Sequence, residues 1–342
     1  MRIGLKQYFS LLFISATVLL VGCGEDSKKV IVNQGQSESV GFNQSVKKDF
    51  SLDGANGKKS QKGNSSDGRY DGMPTSRLTD TGMIENAEKV FAVLVDSNLR
   101  HEGDRWILDS YETVGQSRPY LCDSHPLHGE LNIVHSTGFA LNDSIVALSG
   151  HAVCRNDQLF LSDLGFVLVY GFYDYSTNPN GSIVFPDSNV YRVSRYYHSD
   201  CGEQDLVDAE DYAFYGLERK IPQRLILADT GTVQPGDSVY SMGFPLGSRL
   251  RLNPPGVVLK STSQAPFHIR ADIDNSDGDS GGPVFDSESN KLVGIFVSGG
   301  QDFSRVEQDS CHVYRTHSLE SCQVRIMPVG VLIDALKNNI TN

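Results

Sequence analysis

The string Gly278-Asp279-Ser280-Gly281-Gly282-Pro283-Val284 sets one serine between glycines on a stretch built to turn. A serine hydroxyl is a weak nucleophile at its own pKa, so it attacks a carbonyl only when a tight turn presents it to a base. Glycines permit the backbone angles that aim two N–H groups at one point, and the Gly278 and Ser280 amides would form such a pair. A developing oxyanion held by two such donors gains about 2.7–4 kcal/mol from each. The chemistry that suits this arrangement is acyl transfer. Gly-Asp-Ser-Gly also occurs in ordinary turns; the full seven-residue string is much rarer. The required base has nine histidines to come from. His151 ends the apolar run Ile145-Val146-Ala147-Leu148 and is followed by small residues, whereas His128, His198 and His268 lack such surroundings.

Positioning these groups falls to many short β-rich runs bounded by turn residues. They include Phe166–Tyr170, Ser182–Phe185, Val190–Val193, Ser238–Met242, Gly256–Lys260 and Leu292–Val297, with a turn at Asn178-Pro179-Asn180-Gly181. Regular short strands over most of a chain indicate an all-β sandwich or barrel. Between Ile84 and Leu99 the first half is compatible with a helix and the second reads as a buried strand. A helical stretch, Val329–Lys337, is expected near the end of the chain.

With these residues in view, the sequence resembles the chymotrypsin-fold (trypsin-like) serine peptidases. In that family the Gly278–Val284 string surrounds the catalytic serine, and the order is His, Asp, Ser. Ser149-Gly150-His151-Ala152 resembles the family's histidine block, and Ser136–Leu141 its preceding strand. The family's acid pattern of Asp, apolar, Ala, apolar is met by Asp211-Tyr212-Ala213-Phe214; Asp205 and Asp208 are the alternatives. Gly236–Gly247, Arg270–Asn275 and Gly294–Gly300 resemble further blocks of bacterial members. The resemblance implies two six-stranded antiparallel β-barrels with the site between them and a short C-terminal helix. It also implies Ser280 as nucleophile, His151 as base, Asp211 as orienter, and Ser298 and Gly300 as substrate-binding residues. A polypeptide substrate follows, with no cofactor and no metal. The competing reading is a catalytically inactive binding protein on the same fold.

The departures from the family are informative. Where vertebrate members bridge two cysteines beside the histidine, this chain has Ala152 and Ser136. A Cys122–Cys154 bridge would take over that role, and Cys311 and Cys322, close in sequence, are the other expected pair; Cys201 is left over. Asp274 stands six residues before Ser280, where trypsin-type enzymes carry the acid that selects Arg or Lys. A loop-buttressing role for Asp274 is the alternative. Asp279 precedes the nucleophile; in pancreatic relatives the equivalent carboxylate pairs with an ammonium freed by cleavage. In this chain the partner would be either internal donors or a terminus cut near Lys89-Val90.

The first residues read as an address. Arg2 and Lys6 precede the apolar run Leu11–Val21, which is too short to span a bilayer comfortably. Leu20-Val21-Gly22-Cys23 resembles the lipobox of bacterial lipoproteins, which implies removal of residues 1–22, acylation of Cys23 and a lipid bilayer as partner. Gly24, rather than Asp, favours the outer over the inner membrane of a cell envelope. Residues 23–80, rich in Ser, Gly, Asn and Lys without apolar period, read as a flexible tether, and 81–342 as the peptidase domain. The formal charge of −12 argues against nucleic-acid binding, which needs a surplus of Lys and Arg.

Overall fold

The computed structural model describes residues 72–154, 165–172, 176–177, 181–201, 210–227, 229–259, 268–299, 303–305, 311–314 and 324–340. Twelve strands carry the architecture. Six form a closed antiparallel barrel: β1 (Val90–Val95), β2 (Ser136–Ala140), β3 (Ile145–Leu148), β4 (Phe166–Tyr170), β5 (Val190–Cys201) and β6 (Asp211–Leu217), in the order β5-β6-β3-β2-β1-β4. Six more follow: β7 (Ser238–Gly243), β8 (Arg251–Leu259), β9 (Ile269–Ala271), β10 (Pro283–Asp286), β11 (Leu292–Ser298) and β12 (Val324–Pro328). Their order is β8-β7-β10-β11-β12-β9, and the β8–β9 pairing closes the second barrel. This is the chymotrypsin-like pair of six-stranded barrels that the resemblance implies.

Burial explains why β1 reads as a continuous apolar run. Phe91 and Val93 join the first barrel's core with Val146, Leu148, Leu168 and Tyr215. Val90, Ala92 and Leu94 face the other way, into a cluster that includes Tyr240, Met242, Phe244 and Ile295 of the second barrel. With both faces buried, the strand has no reason to alternate. A third cluster, Val239, Val258, Ala271, Val284, Phe296 and Ile326, fills the second barrel. The ambiguous stretch before β1 resolves into α1 (Thr81–Ala87), capped by the Asp80 carboxylate on the Met83 N–H at 2.9 Å. Two short helices, α2 (Val114–Ser117) and α3 (Gly150–Val153), precede α4 (Val329–Ile340), which buries Val329, Leu332 and Ala335. The helix α4 runs three residues past the expected end at Lys337.

Two strands are longer than their sequence signals. The outer half of β5, from Arg195 to Cys201, is polar and passes from exposed to half-buried, so it lacks an apolar signature although it pairs with β6 to its end. Strand β8 contains Pro254-Pro255, which contribute no ladder N–H; a register shift opposite them, between Val239 and Ser241 of β7, absorbs the break. Described structure starts before residue 81, the expected start of the domain. Met73–Pro74 pairs with Leu252 and Arg251, the Arg251 guanidinium donates to the Gly72 carbonyl at 3.2 Å, and Leu78 packs on the core. Neither Met73 nor Leu78 belongs to a periodic run, so the sequence carries no signal for these contacts.

Candidate active site

Ser280 lies in the turn that leads into β10, and the first barrel grips this turn from the side. The Thr137 N–H and the Ser136 hydroxyl both donate to the Ser280 carbonyl, at 2.9 and 2.6 Å. The Thr137 hydroxyl donates to the Gly278 carbonyl at 2.8 Å. Strand β11 holds the other side, with Gly281 N–H on the Phe296 carbonyl at 2.9 Å and Phe296 N–H on Gly282 at 2.8 Å. Gly281 has φ +85°, and a Cβ there would overlap the Thr137 carbonyl, so only glycine lets the two barrels close on this turn. Gly278 has φ +92°. Among the described residues neither the Gly278 nor the Ser280 N–H is spent on a backbone acceptor. Neither amide is therefore committed to a backbone partner within the turn.

His151 sits in α3, directly after β3. Asp211 is the first residue of β6, which pairs with β3, so the sheet itself delivers the acid to the base. The Asp211 carboxylate accepts twice from His151: the backbone N–H reaches Oδ1 at 2.8 Å and Nδ1 reaches Oδ2 at 2.6 Å. That pairing places the proton on Nδ1 and leaves Nε2 as an acceptor. Nε2 stands 2.9 Å from Ser280 Oγ. Burial of His151 opposes its protonation, but the hydrogen bond and charge of Asp211 outweigh it and raise the pKa above the ordinary 6.5. Asp211 is itself buried. Gly150 is required beside it, since a Cβ would overlap the Asp200 carbonyl of β5.

The disulfides differ from the expected pairs. Cys154 is bonded to Cys201 and Cys122 to Cys311, with Cα separations of 5.9 and 5.0 Å. Cys201 ends β5 directly opposite Asp211, and Cys154 caps α3 three residues after His151. The bridge thus staples the element carrying the base to the strand beside the acid. Cys122 meets Cys311 because Leu121 and His312 form a β-bridge, reinforced by Cys122 N–H on the His312 carbonyl at 3.1 Å. Spatial neighbours won over sequence neighbours in both cases. Cys23, Cys322 and Gly300 lie outside the described residues, as do the alternative acids Asp205 and Asp208.

Residues 137–295 match the family model for the trypsin-like peptidase domain. Over these residues the chain is similar to a trypsin-like peptidase domain. No curated protein matches it in sequence. Among solved structures, a kallikrein-related peptidase 10 complex with Zn2+ is 17% identical, covering 61% of this chain and 92% of that one with a TM-score of 0.40. Rv3671c from M. tuberculosis H37Rv, a serine-to-alanine mutant in an inactive form, is 12% identical over 79% of this chain and 95% of that one, with a TM-score of 0.42.

The fold also places the other residues named from the sequence, together with partners that carried no signal there. Asp279 is fully buried and takes three donors on Oδ2: Asn253 Nδ2 at 3.0 Å, Asn275 Nδ2 at 3.4 Å and the Ser276 N–H at 2.9 Å. Burial pushes its pKa up to about 7. Asp274 is half-buried in the loop after β9, next to Asn275. Ser298 ends β11, and its hydroxyl accepts from Arg325 Nε at 2.6 Å. Arg325 is opposite Ser298 in the β11–β12 ladder. An arginine on an edge of a strand reads from sequence as a solvated charge, and only the register brings it here.

Proposed function

We propose that the chain is a serine endopeptidase that hydrolyses peptide bonds through an acyl-enzyme. The observation that carries this reading is the continuous line from Asp211 Oδ2 through the His151 ring to Ser280 Oγ, at 2.6 and 2.9 Å. Ser280 attacks the scissile carbonyl, and His151 Nε2 takes its proton and later passes it to the leaving amine. Asp211 keeps Nδ1 protonated and stabilises the imidazolium. The Gly278 and Ser280 amides receive the oxyanion. Ser298 and Gly300 pair with the substrate backbone, and the Asp274 carboxylate favours Arg or Lys before the scissile bond. The intact chain should be labelled covalently and stoichiometrically by a fluorophosphonate, read by intact mass. Absence of labelling in a folded preparation would instead favour the inactive binding protein.

The same proposal places the enzyme in a bacterial envelope, held by lipid on Cys23 and exported through the signal of residues 1–22. The support is the Leu20-Val21-Gly22-Cys23 register behind a basic start and a short apolar run. Two or more acyl chains give stable anchoring. Cys23→Ser should therefore lose palmitate incorporation and move the protein out of the detergent phase. Unchanged partition with intact palmitate labelling would reject the lipid anchor.

A further inference from the structure

A buried carboxylate one residue from a nucleophile must be held by something, and what holds it decides when the enzyme works. Asp279 is 0% exposed. Its Oδ2 is gripped by two side-chain amides and one backbone N–H, from β8, from the loop after β9, and from Ser276. The two amides are themselves tied together. Asn253 Nδ2 and Asn275 Nδ2 both reach the hydroxyl of Ser241 on β7, at 3.1 and 2.9 Å, and all three side chains are buried. The donors are neutral. No ion pair reaches Asp279 among the described residues, and its Oδ1, packed against Gly243, has no partner there. A cation in contact would depress the carboxyl pKa, whereas here burial pushes it up to about 7.

The lock acts on the backbone of the candidate oxyanion site. The Asp279 N–H donates to the Ser276 carbonyl at 3.0 Å, and the Asp279 carbonyl accepts from Gly282 N–H at 2.7 Å. Asp279 therefore lies between the two amides, Gly278 and Ser280, whose direction matters. An amino terminus made at Lys89-Val90 would not travel to this site, because Val90 is buried at the start of β1 and paired with Phe139.

We propose that Asn253, Asn275 and the Ser276 amide lock the Gly278–Ser280 loop in its working form through neutral hydrogen bonds to Asp279. The peptidase then acts uncut and needs no cation on this carboxyl group. Asn253 and Asn275 are positioning residues, and the proposal rests on the peptidase reading above. What the loop needs from residue 279 is an acceptor of the right shape, not a charge.

The test compares Asp279→Asn with Asp279→Ala and Asn253→Ala in the full chain, each checked for folding by circular dichroism and thermal melting. Labelling rate with a fluorophosphonate and kcat and KM on a peptide substrate are the readouts, with the amino terminus of the active species sequenced. The asparagine keeps an acceptor for all three donors, so its kcat should stay within about ten-fold of the parent. Loss of a single oxyanion donor costs 10²–10³ in kcat. Asp279→Ala should fall into that range, and Asn253→Ala should fall at least ten-fold, both in kcat and not in KM. If the alanine variant does not fold, the asparagine variant still decides. A folded Asp279→Asn that has lost 100-fold or more overturns the proposal, because a charge partner is then required. So does a parent that labels only after cleavage N-terminal to β1, although that result keeps the peptidase. A parent that labels neither intact nor cleaved sinks the peptidase reading and this proposal with it.

Discussion

Ser280→Ala should lower kcat for peptide hydrolysis by about 10⁶-fold, the scale on which nucleophile loss acts in serine peptidases, and should abolish fluorophosphonate labelling. The change removes one hydroxyl whose described partner is His151 Nε2. The turn itself is held through the Ser280 carbonyl, by Thr137 N–H and the Ser136 hydroxyl, and through Gly281 and Gly282 on β11. Those bonds are untouched, so stability should move by no more than about 1.5 kcal/mol, the scale of the one hydrogen bond lost to His151. The measurement is a progress curve on purified variant and parent, with thermal melts of both. Residual hydrolysis within a hundred-fold of the parent would mean that another group attacks the substrate. Substrate binding should survive, because the Gly278 and Ser280 amides remain in place.

How much of this was readable beforehand depends on where the information lies. The glycine-flanked Ser280 and the strand-ending His151 are local patterns, since a turn and a strand end both constrain neighbouring residues. Asp211 is singled out only through the family's pattern of Asp, apolar, Ala, apolar, met by Asp211-Tyr212-Ala213-Phe214. Short apolar runs such as β1 and β11 indicate an all-β sandwich or barrel, and the pair of six-stranded barrels enters only with the family resemblance. The partners of Asp279 were not legible. Asn253 lies 26 residues before it, inside a strand broken by Pro254-Pro255, and a buried asparagine in such a run looks like a turn residue. Arg325 and Ser298 meet only through β11–β12 register. Cysteine pairing is not legible for a related reason: chain closure between distant segments costs little per added residue, so nearness in sequence does not choose Cys311's partner. The β-bridge between Leu121 and His312 does.

Asp211→Asn should cost about 10⁴-fold in kcat while leaving the geometry of the cleft nearly unchanged, because an isosteric amide reverses the sense of one hydrogen bond. Asp211 Oδ2 accepts from Nδ1 at 2.6 Å, which keeps Nε2 free to take the Ser280 proton. An asparagine amide nitrogen at that position must donate to Nδ1, which moves the imidazole proton to Nε2. The base then points a proton at the hydroxyl it should deprotonate. The pH profile carries an independent signature. In the parent, Asp211 raises the His151 pKa above 6.5 against the effect of burial, and only the neutral ring can accept a proton. The rate should therefore fall as pH drops through that raised value. Without the carboxylate, burial acts unopposed by Asp211 and the acid limb should move to lower pH. Fluorophosphonate labelling rates between pH 5 and 8 report both effects on the chemical step alone. A loss below ten-fold with an unshifted limb would transfer the orienting role to another acid, with Asp205 and Asp208 the first to substitute.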